Sequence, residues 1–350
     1  GFFDKYGNAV DEDPEKPVMG VDGELIEIGS KTYLRNERDS LKHDASELNE
    51  VVRQFPFTEE EAFRDSIDGS LFNIGKIYQQ IDHNNNLFPN PVVRGNFMWK
   101  EKDKEVIFSP DANGRVRMAW QPSPESRNKH IEEYGKRKPG NAHMGVGGVD
   151  SYDLDATVDG RGSKGAMHLY NKFNMEGVSN CFVIEYASRP ELASIFYEDV
   201  LMCAFYYGYP LLVENNKYGI VRYFESRGYD GYLMERPDHL SSGSSKVNVK
   251  TKGIPSNSQD VIQSHAQAIE AYIHNYVGED AQTGEMGQMY FNRTLEDWIG
   301  YKITDRTKFD LTISSGLALL AAQKVKKEKP QSDFTEKQFF RRNKFKEWHR

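Results

Sequence analysis

Cysteine is nearly absent: Cys181 and Cys203 are the two in 350 residues. Neither sits in a CxxC pair, so no disulfide framework is expected, and two thiols in so long a chain describe a reducing compartment. No apolar run approaches the roughly 18 residues of a membrane span, and no charged-then-apolar signal segment opens the chain. A soluble, intracellular protein is the expectation. Also missing are a GxxxxGK[ST] phosphate loop, an HExxH zinc motif and a GxSxG nucleophile elbow, which sets aside P-loop NTP hydrolysis, zinc-protease chemistry and serine hydrolysis. Excess positive charge is lacking too. Against 45 Lys and Arg stand 53 Asp and Glu, for a net charge of −8, which argues against nonspecific adhesion to nucleic acid through bulk charge.

What is present is a globular composition, 38% hydrophobic and 28% charged, in a chain long enough to bury a core without disulfides or structural metals. Its charge is uneven. Residues 1–70 carry 18 acidic and 8 basic side chains, whereas residues 324–350 carry 4 and 10. The chain opens on Gly1 and runs at once into Phe2-Phe3-Asp4-Lys5-Tyr6-Gly7, and it reads as an excised fragment.

The first 54 residues are polar and rich in turn formers, an extension with strand-like pieces such as Glu24–Ile28. Thr58 and Glu61 have capping-box spacing, with three acids in the first turn of a short helix. A second helix is expected from a Ser70 cap through His83, with Leu71, Ile74, Ile77, Tyr78 and Ile81 on one face. From Asn96 to Gln121 the period changes to two: Val106 and Phe108, then Asn113-Gly114, then Val116, Met118 and Trp120, the pattern of a β-hairpin. Beyond a linker at 122–142, strands fit 144–149, 166–173 and 181–186. A helix with Pro190 at its first position runs to Tyr207, and a strand follows at 210–214. A helix over 218–227, a Gly228 stop and a strand at 231–234 complete an alternating α/β series. Two further helices are expected, 259–277 and 311–322. His265 and His274 on the first read as partly exposed.

Three carboxylates stand at the edges of these core elements. Asp150 ends the strand Met144–Val149, Glu214 follows Leu211-Leu212-Val213, and Asp310 precedes the apolar helix from Leu311. Neighbouring strand ends lie within reach of each other, and a helix across that edge brings the third acid. Clustered carboxylates repel one another unless a divalent cation neutralises them, so the set is a candidate Mg2+ or Mn2+ site. Two ions there would support phosphodiester hydrolysis. Each acid also has a structural reading, Asp310 as a helix cap and Asp150 as a turn former. Asp153, Asp155 and Asp159, in the run that opens at Asp150, hint at a Ca2+ loop, but position six is Asp155 instead of Gly and the twelfth, Arg161, is not Glu. Gly160-Arg161-Gly162-Ser163-Lys164-Gly165 matches GxGxxG but opens a strand, as a hairpin loop would. Lys246, Lys250 and Lys252 alternate along an extended piece that could follow a phosphate backbone, or be a solvated loop. The tail from Lys324, with Phe339, Phe340, Phe345 and Trp348 among its cations, reads as a basic arm that grips DNA or a partner, or as a solubilising end.

Residues 55–323 resemble the large terminase subunit of tailed bacteriophages, in its C-terminal nuclease half and the end of its ATPase half. The resemblance rests on four blocks: Phe55-Pro56-Phe57-Thr58-Glu59-Glu60-Glu61-Ala62-Phe63, Gly148-Val149-Asp150, Val213-Glu214-Asn215 and Lys308-Phe309-Asp310-Leu311. It implies a ribonuclease-H-like fold, a mixed β-sheet flanked by helices, with residues 1–92 as acidic extension and linker, 93–323 as nuclease domain and 324–350 as basic tail. It implies that Asp150, Glu214 and Asp310 bind two Mg2+ or Mn2+ ions and cut concatemeric double-stranded DNA. Arg161, Lys164, Lys246, Lys250 and Lys252 are the candidate DNA contacts. A portal protein and a small terminase subunit would be the partners, and the host cytoplasm the location. The family's last motif usually reads His-Asp-Asp. Lys308 and Phe309 replace its first two residues, which leaves one metal site weaker or served by Asp305 or Asp153. A resolvase- or transposase-like nuclease and a non-enzymatic motor docking module are the competing readings.

Overall fold

The computed structural model describes residues 1–62, 71–153, 164–172, 177–216, 218–236, 251–255, 259–280, 282–303 and 308–323. Two short paired strands, β1 (Val18–Met19) and β2 (Leu25–Ile26), lead into helices α1 (Ser30–Ser40), α2 (Ala45–Gln54), the single turn α3 (Glu59–Ala62) and α4 (Ile74–Asn86). Then come β3 (Val93–Glu101), β4 (Glu105–Pro110), β5 (Val116–Met118) and the hairpin of β6 (His130–Glu133) with β7 (Lys136–Pro139). The chain continues through β8 (Gly145–Asp150), β9 (Gly165–Asn171), β10 (Cys181–Ser188), α5 (Ala193–Tyr207), β11 (Leu211–Val213) and α6 (Gly219–Ser226). Three helices close it: α7 (Gln259–Tyr276), α8 (Asn292–Gly300) and α9 (Asp310–Ala322).

Among the described residues these strands form a 7-stranded sheet in the order β11-β8-β9-β10-β5-β3-β4. β8, β9 and β10 make an antiparallel meander, α5 crosses over, and β11 returns parallel to β8 on its far side. That meander, crossover and outer parallel strand are the ribonuclease-H-like arrangement: a mixed sheet with helices on both faces. Two cores result. α5 and α6 pack with Val149, Leu169, Leu211 and Val213 on one face, while α7, α8 and α9 pack with Val146, Tyr170, Phe182 and Leu212 on the other.

Two glycines set how closely the layers approach. A Cβ on Gly148 would lie 2.2 Å from both the Ala318 amide nitrogen and the Ser314 carbonyl oxygen, so the backbone of α9 rests directly on β8. A Cβ on Gly316 would lie 2.1 Å from the His265 ring, and the slot it leaves lets His265 of α7 reach the Ile313 carbonyl at 2.9 Å. His265 is therefore buried, contrary to its expected partial exposure, while His274 is exposed.

Local expectations meet further differences, the first being that the expected linker at 122–142 holds the β6–β7 hairpin. The Ser70 cap lies outside the described residues; α4 starts later, capped by Asn73, whose side chain accepts from the Lys76 amide at 3.2 Å. β4 and β5 do not pair with each other. Both flank β3, and the Asn113-Gly114 turn crosses it where a Cβ on Gly114 would stand 2.3 Å from the Gly95 carbonyl oxygen. α5 begins at Ala193, leaving Pro190 outside as an acceptor for the Tyr152 hydroxyl. In place of a strand over 231–234 there is a 3-10 turn, Asp230–Tyr232, and a single bridge from Leu233 to Leu211.

α4 is joined to the second core by side-chain amides. Gln80 donates to the Gly287 carbonyl and accepts from the Gly278 amide, and Asn84 donates to the Met289 carbonyl and to Asn292, the first residue of α8. Among the described residues no helix is long and apolar enough to cross a membrane.

Candidate functional site

The parallel register of β8 and β11 pairs Val149 with Val213, and the Glu214 amide donates to the Val149 carbonyl at 2.9 Å. Asp150 and Glu214 are consequently neighbours at the C-terminal ends of adjacent strands, about 4.8 Å apart in backbone spacing. Strand alternation fixes their face. Val149 and Val213 point into the α5 core and Val146 and Leu212 into the opposite one, so Asp150 and Glu214 both stand on the α9 side. Asp150 is 8% exposed and Glu214 half-buried. The Asn pair after Glu214 has distinct tasks: Asn216 donates to the Glu214 carboxylate at 3.0 Å, and Asn215 donates to the Lys252 carbonyl at 3.1 Å.

Asp310 is the first residue of α9, on that same face, and its carboxylate accepts from the Lys164 amide at 2.9 Å. Lys164 precedes β9, whose Ala166 pairs with Asp150. Thus the three acids are arranged along one sheet edge, Glu214 on β11, Asp150 on β8 and Asp310 against the approach to β9. Among the described residues, however, no group of three His, Cys, Asp or Glu side chains stands close enough to hold a metal ion.

The N-terminus of α9 is held by groups that its own sequence does not supply. Phe309 at its N-cap offers no side-chain acceptor, and Asp297 of α8 takes that role, accepting from the Thr312 amide at 2.7 Å and hydroxyl at 2.6 Å. Burial pushes the Asp297 carboxyl up to about 6, opposed by the Thr312 bonds and reinforced by the Asp310 and Glu185 carboxylates. Beneath α9, fully buried His168 meets Ser314 at 2.9 Å and Thr294 at 2.8 Å, and Thr294 donates to Glu185 at 2.7 Å. Because a carboxylate only accepts, the Thr294 proton goes to Glu185 and His168 Nε2–H donates to Thr294, which leaves Nδ1 facing the Ser314 hydroxyl, whose one proton is shared with the Asp310 and Leu311 carbonyls. The imidazole is neutral: burial drives it down to about 3, and the Arg293 charge adds to the fall. A sequence signal existed for these residues, since a His and a Glu sit at inward positions of otherwise apolar strands and buried polar groups need partners.

This histidine gives a pH prediction. The unfolded chain takes up a proton near 6.5 and the folded one only near 3, so the contribution of His168 to stability is complete above pH 6.5. It is lost as pH falls below that, at up to about 1.4 kcal/mol per pH unit. Asp297, whose folded carboxyl is raised, shifts stability the opposite way below about 6. Urea unfolding of wild type against His168→Gln should therefore show a gap that narrows steadily from pH 7 to pH 5; a gap independent of pH would show that His168 is not held neutral.

The remaining candidates divide. Asp153 accepts from the Tyr197 hydroxyl at 3.0 Å and the Gly219 amide at 3.2 Å, anchoring the start of α6. The Lys252 ammonium donates to the Leu233 carbonyl at 2.9 Å and is half-buried, whereas Lys164 is exposed. Arg161, Lys246, Lys250, Asp305 and the tail 324–350 lie outside the described residues.

No protein-family model matches the sequence, and no curated protein matches it. Among solved structures, the crystal structure of the large terminase nuclease from thermophilic phage G20c is similar, with a TM-score of 0.35 and 8% identity over 69% of this chain and 96% of that one.

Proposed function

We propose that the chain is a divalent-metal-dependent nuclease domain of the large-terminase kind, which hydrolyses phosphodiester bonds of double-stranded DNA. The observation that carries this reading is the pairing of Asp150 and Glu214 at the ends of two adjacent parallel strands, on the face that α9 covers with Asp310 at its first residue. Ligand sites of α/β sheets gather outside the carboxyl ends of strands, and carboxylate oxygens suit Mg2+ or Mn2+. In this reading Asp150 and Glu214 hold the metal and Asp310 is the third candidate ligand. A bound pair of such ions supplies an activated water and a stabilised leaving oxygen.

The protein's own contribution is placement. Gly148 lets α9 lie on β8, Asp297 fixes the first turn of that helix, and Asn216 orients Glu214. Concatemeric viral DNA would be the substrate, a portal protein and a small terminase subunit the partners, and the host cytoplasm the place. Supercoiled plasmid incubated with the protein in Mn2+, Mg2+ or EDTA tests the reading. Nicking in metal and none in EDTA is expected; no cutting with either metal, joined to a flat Mn2+ titration in the calorimeter, would overturn it.

A further inference from the structure

Three arginines meet on the half of the sheet that lies beyond α8. Arg94 of β3 and Arg117 of β5 are direct cross-strand partners. Like charges placed opposite each other destabilise a sheet. Arg293, in the first turn of α8, joins them: its guanidinium is lowered by burial and, beyond that, by the nearby charges of Arg117 and Arg94. Arg117 and Arg293 approach the same carboxylate oxygen of Glu185, at 3.0 and 3.9 Å, while the other oxygen takes the Thr294 hydroxyl. Glu185 is wholly buried, and Glu296 is the other acid acting on Arg293. Among the described residues three cations thus face these two acids, one of which is withdrawn from solvent. The cations themselves reach the surface, with side-chain exposures of 26% for Arg117 and 36% for Arg293, and Arg94 is exposed.

Their position relates them to the strand-end carboxylates. Arg117 pairs with Glu185, Glu185 with His168 and His168 with Gly148, a single row across the sheet on the face that bears Asp150 and Glu214. Arg117 and Arg94 lie three and four strands from β8, roughly 14–19 Å at the usual strand spacing. That is the length of about four to six base pairs.

We infer that Arg94, Arg117 and Arg293 form a binding site for the phosphate backbone of duplex DNA, a few base pairs from the point of cutting. The inference deepens the nuclease reading and rests on it for the identity of the polyanion. In a chain of net charge −8, local clustering of this kind replaces bulk attraction. The planar fork of arginine suits phosphate oxygens, and a phosphate between Arg94 and Arg117 would relieve their repulsion.

Binding is tested apart from cutting by fluorescence anisotropy of a labelled 20-base-pair duplex, with the full chain in EDTA and KCl from 50 to 200 mM. Arg117 is left in place as the counter-ion of buried Glu185. Arg94→Glu combined with Arg293→Gln should weaken binding at least tenfold. It should also make the plot of log affinity against log salt shallower by about two, near 0.9 for each phosphate no longer neutralised. Lys138→Glu, an exposed charge reversal on β7, is the control and should leave that slope unchanged. Equal losses in the control and the double variant would reduce the effect to net charge and overturn the site, as would wild-type binding with no salt dependence or no binding at all. Failure here leaves plasmid cleavage by wild type, and its loss in Asp150 variants, to judge the nuclease reading separately.

Discussion

Replacing Asp150 by alanine is expected to abolish metal-dependent plasmid cleavage, by roughly a thousandfold or more, while leaving a cooperatively folded protein. The size follows from the role. Metal-assisted hydrolysis draws several kcal/mol of charge stabilisation from the ions, and each ~1.4 kcal/mol is a factor of ten in rate. Retention of the fold follows from position: Asp150 is the last residue of β8, beyond the Val149–Val213 pair that ends the β8–β11 ladder. Both Asp150→Ala and Asp150→Asn should melt in one cooperative transition, and Asp150→Asn should be as inactive as Asp150→Ala. The measurements are initial nicking rates in Mn2+ with differential scanning calorimetry on the same preparations. A pure Asp150→Ala protein that still nicks DNA at a tenth of the wild-type rate would end the assignment; one that no longer melts cooperatively would mean Asp150 holds the fold instead.

The second large effect is expected at Gly148, and the comparison with its neighbour makes it diagnostic. At Gly147 an added methyl would meet Leu211 Cδ2 at 2.5 Å and Leu169 Cδ2 at 2.6 Å, the ends of side chains that can rotate away. At Gly148 it would meet the backbone of α9 at 2.2 Å, which yields only if the helix moves. Overpacking costs about 1–3 kcal/mol, so Gly147→Ala should sit near the bottom of that range and Gly148→Ala at its top or above. The helix that moves begins at Asp310, so Gly148→Ala should also weaken Mn2+ binding, whereas Gly147→Ala should not. Urea unfolding and Mn2+ calorimetry on the two proteins decide the matter, and equal destabilisation by both would refute the direct seating of α9 on β8.

The parts of the fold that could be read from sequence are those where local pattern and tertiary role agree. α7 and α9 appear where apolar residues recur at helical spacing or fill the whole surface, and β8, β10 and β11 where short apolar runs end at turn formers. Gly228 stops α6 with a left-handed backbone, φ +76, as a C-terminal glycine should. Thr58 accepts from the Glu61 amide at 3.3 Å, which is half of the expected capping box; the Glu61 carboxylate turns to Arg38 and the Phe57 amide instead. The places of Asp150, Glu214 and Asp310 at strand and helix ends were legible because such ends are visible in a sequence.

What escaped is non-local. The β4–β5 turn has every hairpin signal, yet β3 takes the place between the two strands because Gly95 and Gly114 let the backbones cross. His265 owes its burial to a glycine on a different helix. α8 carries a short mixed segment whose burial rests on Leu295 and Trp298, and nothing in its own nine residues announces that Asp297 will cap α9.

The amides of α4 bear on where the chain can be divided. The terminase resemblance draws a line near residue 92, but Gln80 and Asn84 supply partners to the Gly278 amide and to the Gly287 and Met289 carbonyls, while Phe72 and Ile77 are core residues of the α7–α9 layer. Severing the chain at that line would strand three backbone groups without protein partners, at about 1–3 kcal/mol for each that stays buried, and would open an apolar groove along α7 and α8. In terms of cooperative unfolding, α4 melts with the α7–α9 layer, and the smallest autonomous unit has to begin upstream of Phe72.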